Sequence, residues 1–271
     1  MPAIDQVFAE LRRQQRKAFI PFITAGDPTL EVTQKLLAEL VGRGSTICEL
    51  GIPYSDPIAD GPVIQASYTR ALEHHVRLDQ IFDTIGTTAP GLSAPVVTMV
   101  SYAICHRYGT QRYVQRLREV GAAGIIVPDL PVDESPEFAK LCQATEISLI
   151  QLVTPTTPRE RAVRIAETST GFLYYVSVTG ITGERTELPA DLLDNVAWLR
   201  ARTDLPICIG FGISTPEHVR RLAPVADGLI VGSAIVRRVA DTGNQSVPQM
   251  LQDVGQYVAE LIAALDDSGS V

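Results

Sequence analysis

Ser148-Leu149-Ile150-Gln151-Leu152-Val153 is a short, nearly apolar run, and it is followed by the turn-rich Thr154-Pro155-Thr156-Thr157-Pro158. An amphipathic stretch over 159–167 comes next, and a second apolar run, Phe172-Leu173-Tyr174-Tyr175-Val176-Ser177, closes the unit. A strand with so few polar residues is apolar on both faces, so it must be covered on both. Two such strands joined by a helix are the signature of a parallel pair with a helical crossover.

The alternation extends in both directions. Strand-like runs fall at 18–24, 46–50, 96–101, 124–127, 148–153, 172–177, 206–210 and 228–231, which makes eight. Helical patterns lie between most of them, at 30–43, 111–120, 135–143, 159–167, 189–202 and 216–222. Eight units in roughly 250 residues fit a closed α/β barrel better than an open doubly wound sheet. The reading is a single (β/α)₈ TIM barrel domain spanning 1–271. An extra N-terminal helix is expected within 1–16, where Ile4, Val7, Phe8 and Leu11 make an apolar stripe that would cover the barrel bottom. Leu251, Val254, Val258, Leu261 and Leu265 make another stripe near the C-terminus, and the small polar tail 266–271 is expected to fray.

Composition narrows the function. Hydrophobic residues make up 45% and charged residues 20%, and the net charge is −8. An acidic chain is a poor partner for nucleic acid or an anionic membrane surface, so a phosphate would have to be held locally by backbone amides. No apolar run is long enough to cross a bilayer. Cys48, Cys105, Cys142 and Cys208 are widely spaced, and no apolar leader precedes them, which points to reduced thiols in a cytoplasmic protein. The four histidines lack metal-ligand spacing, so no metal site is expected.

In a barrel of this kind, catalysis belongs at the C-terminal ends of the strands. Glu49 stands at the end of the apolar run Thr46-Ile47-Cys48-Glu49-Leu50-Gly51. Burying a carboxylate there demands either a partner or a raised pKa, and a raised pKa suits a group that must both give and take a proton. A structural ion pair is the alternative. The next loop, Ile52 to Pro62, carries Asp56 and Asp60 among three prolines that stiffen it. Either acid could instead simply cap a turn. Glycine-bearing segments follow the last three strands: Gly180-Ile181-Thr182-Gly183, Gly210-Phe211-Gly212-Ile213-Ser214 and Gly232-Ser233-Ala234. Such turns bring backbone N–H groups close to phosphate oxygens, and a helix N-terminus adds its partial positive charge.

The stretch Glu49-Leu50-Gly51-Ile52-Pro53-Tyr54-Ser55-Asp56-Pro57-Ile58-Ala59-Asp60-Gly61-Pro62 resembles the signature of tryptophan synthase alpha subunits. The resemblance continues through Pro21 to Pro28, Val127 to Pro131, Thr154 to Pro158, the Gly180 segment and Gly210 to Ser214, and covers essentially the whole chain. It implies a retro-aldol cleavage of indole-3-glycerol phosphate to indole and D-glyceraldehyde 3-phosphate. By resemblance, Glu49 is the general acid–base and Asp60 binds the indole N–H. Phe22, Tyr102 and Tyr174 line the indole pocket. Thr182 and Gly183 lie in a closing loop, and Gly183, Gly212, Gly232 and Ser233 hold the phosphate. The resemblance further implies an α₂β₂ complex in which indole passes to a beta subunit, with Asp56 in the contacting loop. Pyridoxal phosphate belongs to that beta subunit, and no cofactor is expected in this chain. The rival readings are another phosphate-binding barrel enzyme, a partner-independent lyase and a non-catalytic activator of a beta subunit. The first would need a catalytic His, Lys or metal at the strand ends. The last would have no need of Glu49 and Asp60.

Overall fold

The structure is a computed structural model that describes residues 2–57, 60–176, 192–210, 212–241 and 245–268. The chain begins with α1 (Ala3–Arg13) and then alternates β1 (Ala18–Thr24), α2 (Leu30–Gly42) and β2 (Cys48–Gly51). After these come α3 (Pro62–Glu73), α4 (Leu78–Thr88), β3 (Val96–Met99), α5 (Tyr102–Tyr108), α6 (Thr110–Glu119) and β4 (Gly124–Ile126). The second half runs α7 (Ser135–Ala144), β5 (Ser148–Val153), α8 (Arg159–Thr168), β6 (Leu173–Val176), α9 (Leu192–Arg200), β7 (Ile207–Gly210), α10 (Pro216–Leu222) and β8 (Gly228–Val231). It ends with α11 (Ser233–Ala240) and α12 (Val247–Asp267). All strand pairs are parallel, each with its sequence neighbour, and β8 closes on β1. The expected barrel is therefore present.

Strand alternation divides the core in two. Cys48 and Leu50 point outward into the layer between sheet and helices, with Leu36, Leu37 and Leu40 of α2. Residues of the opposite parity, such as Ile20, Phe22, Val97, Ile126, Ile150, Tyr174 and Cys208, fill the barrel interior. Ile4, Phe8 and Leu11 of α1 join that interior cluster. Phe8 packs on Phe172 just before β6, with ring centroids 5.8 Å apart. These are the strands' N-terminal ends, where α1 acts as the stopper.

Several details depart from the sequence pattern, which also lacks α5 and α11. Residues 62–88, where that pattern predicts no helix, fold into α3 and α4 around a turn at His75 (φ 55°). The tail also holds its helix further than expected. Asp266 and Asp267 lie within α12, and Arg16 donates two hydrogen bonds of 3.2 Å to the Asp266 carboxylate. No described helix is long and apolar enough to cross a membrane. All four cysteines are free and buried.

Candidate active site

Glu49 is the one acid inside the barrel wall among the described residues. It is fully buried, and it pairs in register with Phe22 of β1 and Val97 of β3. Neither of its carboxylate oxygens has a hydrogen-bond partner among the described residues. Burial without a partner penalises the charged form, and the Asp60 charge adds to the effect, so the carboxyl is pushed up to about 8. A structural ion pair, the alternative for this residue, is absent among the described residues.

Asp60 reaches the same place from the loop after β2. Its N–H donates to the Pro57 carbonyl (3.0 Å), while its own carbonyl accepts from Gln65 Nε2 of α3 (2.7 Å). The loop is thus anchored to the helix that follows it. Burial pushes the Asp60 carboxyl up to about 6. Near neutral pH the two acids therefore divide the roles: Glu49 keeps its proton and Asp60 carries charge. Asp56 takes no part in this pairing. It is exposed on the rim and accepts a hydrogen bond from the Ser55 hydroxyl (2.9 Å).

Phe22 links this acid pair to the glycine turns. A Cβ placed on Gly51 would fall 2.5 Å from Phe22 Cζ, so only glycine leaves room for that ring. At its other end, the Cβ of Phe22 lies 3.5 Å from the corresponding point on Gly232. Gly232 caps α11 and Ser233 is the helix's first residue, so the first N–H groups of α11 open at the same barrel mouth. Gly210, paired with Ile230 of β8, gives its missing side-chain space to the Tyr174 hydroxyl, which lies 2.5 Å from where a Cβ would stand. Gly212 adopts φ 77°, a left-handed backbone that other residues rarely take. Tyr174 also feels the charges of Glu49 and Asp60, which with burial hold its phenol well above its ordinary value.

Glu49, Asp60, Phe22, Tyr174, Gly212, Gly232 and Ser233 are therefore gathered at one end of one barrel. Thr182 and Gly183 lie outside the described residues. Tyr102 stands at the mouth but faces away from Phe22 and Tyr174. Its ring packs beside Phe138 and His106, and its hydroxyl donates to Glu134 (3.3 Å). Its N–H donates to Asp129 Oδ1 (2.7 Å), and the Ser101 hydroxyl donates to Asp129 Oδ2 (2.7 Å). Asp129 thus fixes the turn after β3, and this long-range role has no local sequence signal. Sequence reasoning also misses Tyr54 and Tyr68 as neighbours of the acids. Burial and the Asp60 charge push the Tyr54 phenol up to about 12. The stripe Ile64, Ser67, Tyr68, Ala71 could have revealed Tyr68 as core-facing. Among the described residues no cluster of acidic, histidine or cysteine side chains is arranged to hold a metal ion.

Comparison with known proteins agrees with this geometry. Residues 8–265 match the family model described as tryptophan synthase alpha chain. The chain is 53% identical to the tryptophan synthase alpha chain of Rhodopirellula baltica, over 98% of this chain and 99% of that one. It is 43% identical to the alpha chain of a Thermoanaerobacter species, over 96% and 98%. Its structure is similar to that of tryptophan synthase subunit alpha from Legionella pneumophila, with a TM-score of 0.90 and 34% identity over 98% and 99% of the two chains.

Proposed function

The chain belongs to the tryptophan synthase alpha chain family, and we propose that Glu49 and Asp60 are the acid pair with which it works. Its role is that of the alpha subunit: retro-aldol cleavage of indole-3-glycerol phosphate into indole and D-glyceraldehyde 3-phosphate. On this reading it is a carbon–carbon lyase. The observation that carries the assignment of roles is the buried, unpartnered Glu49 carboxyl beside a half-buried Asp60.

The chemistry follows from their protonation states. Protonated Glu49 gives its proton to C3 of the indole ring, and the positive charge that develops on the ring is held by ionised Asp60 at the N–H. The bond from C3 to the glycerol carbon then breaks. Its electron pair returns to the ring and regenerates indole, while the adjacent hydroxyl becomes the aldehyde and passes its proton to Glu49. One proton enters and one leaves, both through Glu49, so the enzyme ends as it began. Phe22 and Tyr174 supply the apolar walls for the ring, and Tyr102 stands at the rim. The amides at Gly212, Gly232 and Ser233, with Gly183, take the phosphate, and Thr182 belongs to the loop that closes over it.

No step of this scheme calls on a cofactor in this chain. Indole passes to a beta subunit that carries pyridoxal phosphate, in an α₂β₂ complex, and Asp56 on the exposed rim touches that partner. Four buried, unpaired cysteines fit a reducing, cytoplasmic setting. The test is incubation of the pure chain with indole-3-glycerol phosphate, with and without a beta subunit, while indole is measured. Indole release that rises when the beta subunit is added supports the reading. Absence of indole under both conditions overturns it.

A further inference from the structure

Tyr68 projects from α3 into the barrel interior, where it is almost completely buried in the cluster that holds Phe22, Ile64 and Tyr174. Its position is fixed from several sides. Ser67, its neighbour in sequence, donates its hydroxyl hydrogen to the Ile64 carbonyl (2.7 Å), so Thr24 of β1 must be the donor in the 2.6 Å bond to Ser67. One turn on, Arg70 makes a two-pronged ion pair with the buried Asp27, at 2.9 and 2.7 Å. The ring of Tyr54 lies 5.6 Å away, tilted by 51°.

Gly51 admits the phenol's polar end. A Cβ at Gly51 would fall 2.9 Å from the Tyr68 hydroxyl oxygen. Residues 49 and 51 of β2 face the same side, so the hydroxyl sits one pleat above Glu49, toward the barrel mouth. The helix that carries Tyr68 starts two residues after Asp60. The hydroxyl makes no hydrogen bond to another described residue, so its hydrogen is free for the site. On the acid-pair reading above, on which this inference rests, we propose that Tyr68 is a positioning residue whose hydroxyl donates to whichever carboxylate is charged. Before the bond breaks that is Asp60 alone; once the Glu49 proton has gone to the ring both acids are charged, Asp60 is engaged by the ring N–H, and the hydroxyl turns to Glu49.

The electrostatics agree with the placement. With burial, the charges of Asp60, Tyr54 and Glu49 hold the Tyr68 phenol well above its ordinary value, so it remains a donor throughout the working pH range. The titratable groups that face the acids are Tyr54 from the loop after β2, Tyr68 from α3, Tyr174 from β6 and Cys208 from β7, while Asp129 faces Tyr54. All four facing groups are neutral near pH 7. A hydrogen bond to a charged acceptor is stronger than a neutral one, so the donor favours the ionised form.

Tyr68→Phe keeps the ring and removes only the donor. Turnover at pH 7 is expected to fall about tenfold, with the acid limb of the pH profile moved up by about one unit and KM nearly unchanged. A turnover and pH profile matching the unmodified chain would overturn the proposal, as would a loss confined to KM with both limbs unmoved. A second measurement needs no change at residue 68. In tyrosine-labelled chain, the Tyr68 hydroxyl proton should exchange slowly in NMR and respond to titration near pH 6. A rapidly exchanging proton indifferent to pH would overturn the proposal even if Tyr68→Phe failed to fold. The NMR result does not depend on cleavage, so it separates a failure of Tyr68's role from a failure of the functional reading.

Discussion

The two ends of the barrel treat a carboxylate in opposite ways. At the closed end, Asp227, just before β8, accepts from the Ile207 N–H (2.8 Å) and from Arg200 Nη2 (2.9 Å). At the open end, Glu49 has neither a donor nor a cation among the described residues, and its pKa rises to about 8. The closed end is finished with apolar packing, where Ile4, Phe8 and Leu11 of α1 meet Phe172. The open end instead gathers two acids, Glu49 and Asp60, with the first backbone amides of α11. One end is therefore expected to set stability and the other to set chemistry.

Changes at the two ends should separate these properties. Glu49→Gln should have the largest effect, since it removes the group that the proposed scheme uses to carry protons in both directions. A loss of about 10³- to 10⁴-fold in indole release is expected, with substrate binding retained. Phe8→Ala should do the reverse. It should cost about 3–5 kcal/mol of stability, read as a lowered urea midpoint, and leave the turnover of the folded fraction unchanged. Asp60→Asn should cut turnover by about 10²-fold, because an amide cannot balance the ring's positive charge. A changed turnover in Phe8→Ala, or an unchanged one in Asp60→Asn, would erase the contrast between the two ends.

pH sharpens the comparison further. On the proposed scheme turnover needs Asp60 ionised and Glu49 protonated, so it should follow a bell with limbs near 6 and 8. Stability should respond as well. The folded Glu49 carboxyl keeps its proton up to about pH 8, whereas the unfolded one loses it near 4.5. Between these values the unfolded state binds fewer protons, so Glu49 makes the fold less stable as pH rises through that window. Glu49→Gln should remove this penalty, with a gain on the order of a few kcal/mol at pH 8 and none near pH 4. Thermal melting across pH measures it. An inactive variant that is also more stable would mark Glu49 as kept for chemistry.

Much of this contrast can be read in the sequence. Eight apolar runs separated by turns define the barrel because a strand buried on both faces has little room for polar residues. For the same reason Glu49 stands out as the exception. What stays hidden depends on contacts between distant segments. Tyr68 faces Gly51 because Thr24, Ser67, Asp27 and Arg70 fix how α3 lies on β1, and none of these pairs is local in sequence. Resemblance places Tyr102 with the indole pocket, yet its ring is drawn toward Phe138 and Glu134 of the following segments. Helices α3 and α4 escape notice where the proline-rich loop and the His74-His75 turn break up the apolar pattern.

The protonation of Glu49 can be observed directly by infrared difference spectroscopy of the unmodified chain against Glu49→Gln. A protonated carboxyl band from Glu49 should be present at pH 7 and fade as pH passes about 8. A Glu49 already ionised at pH 6, with carboxylate bands only, would contradict the division of roles between the two acids.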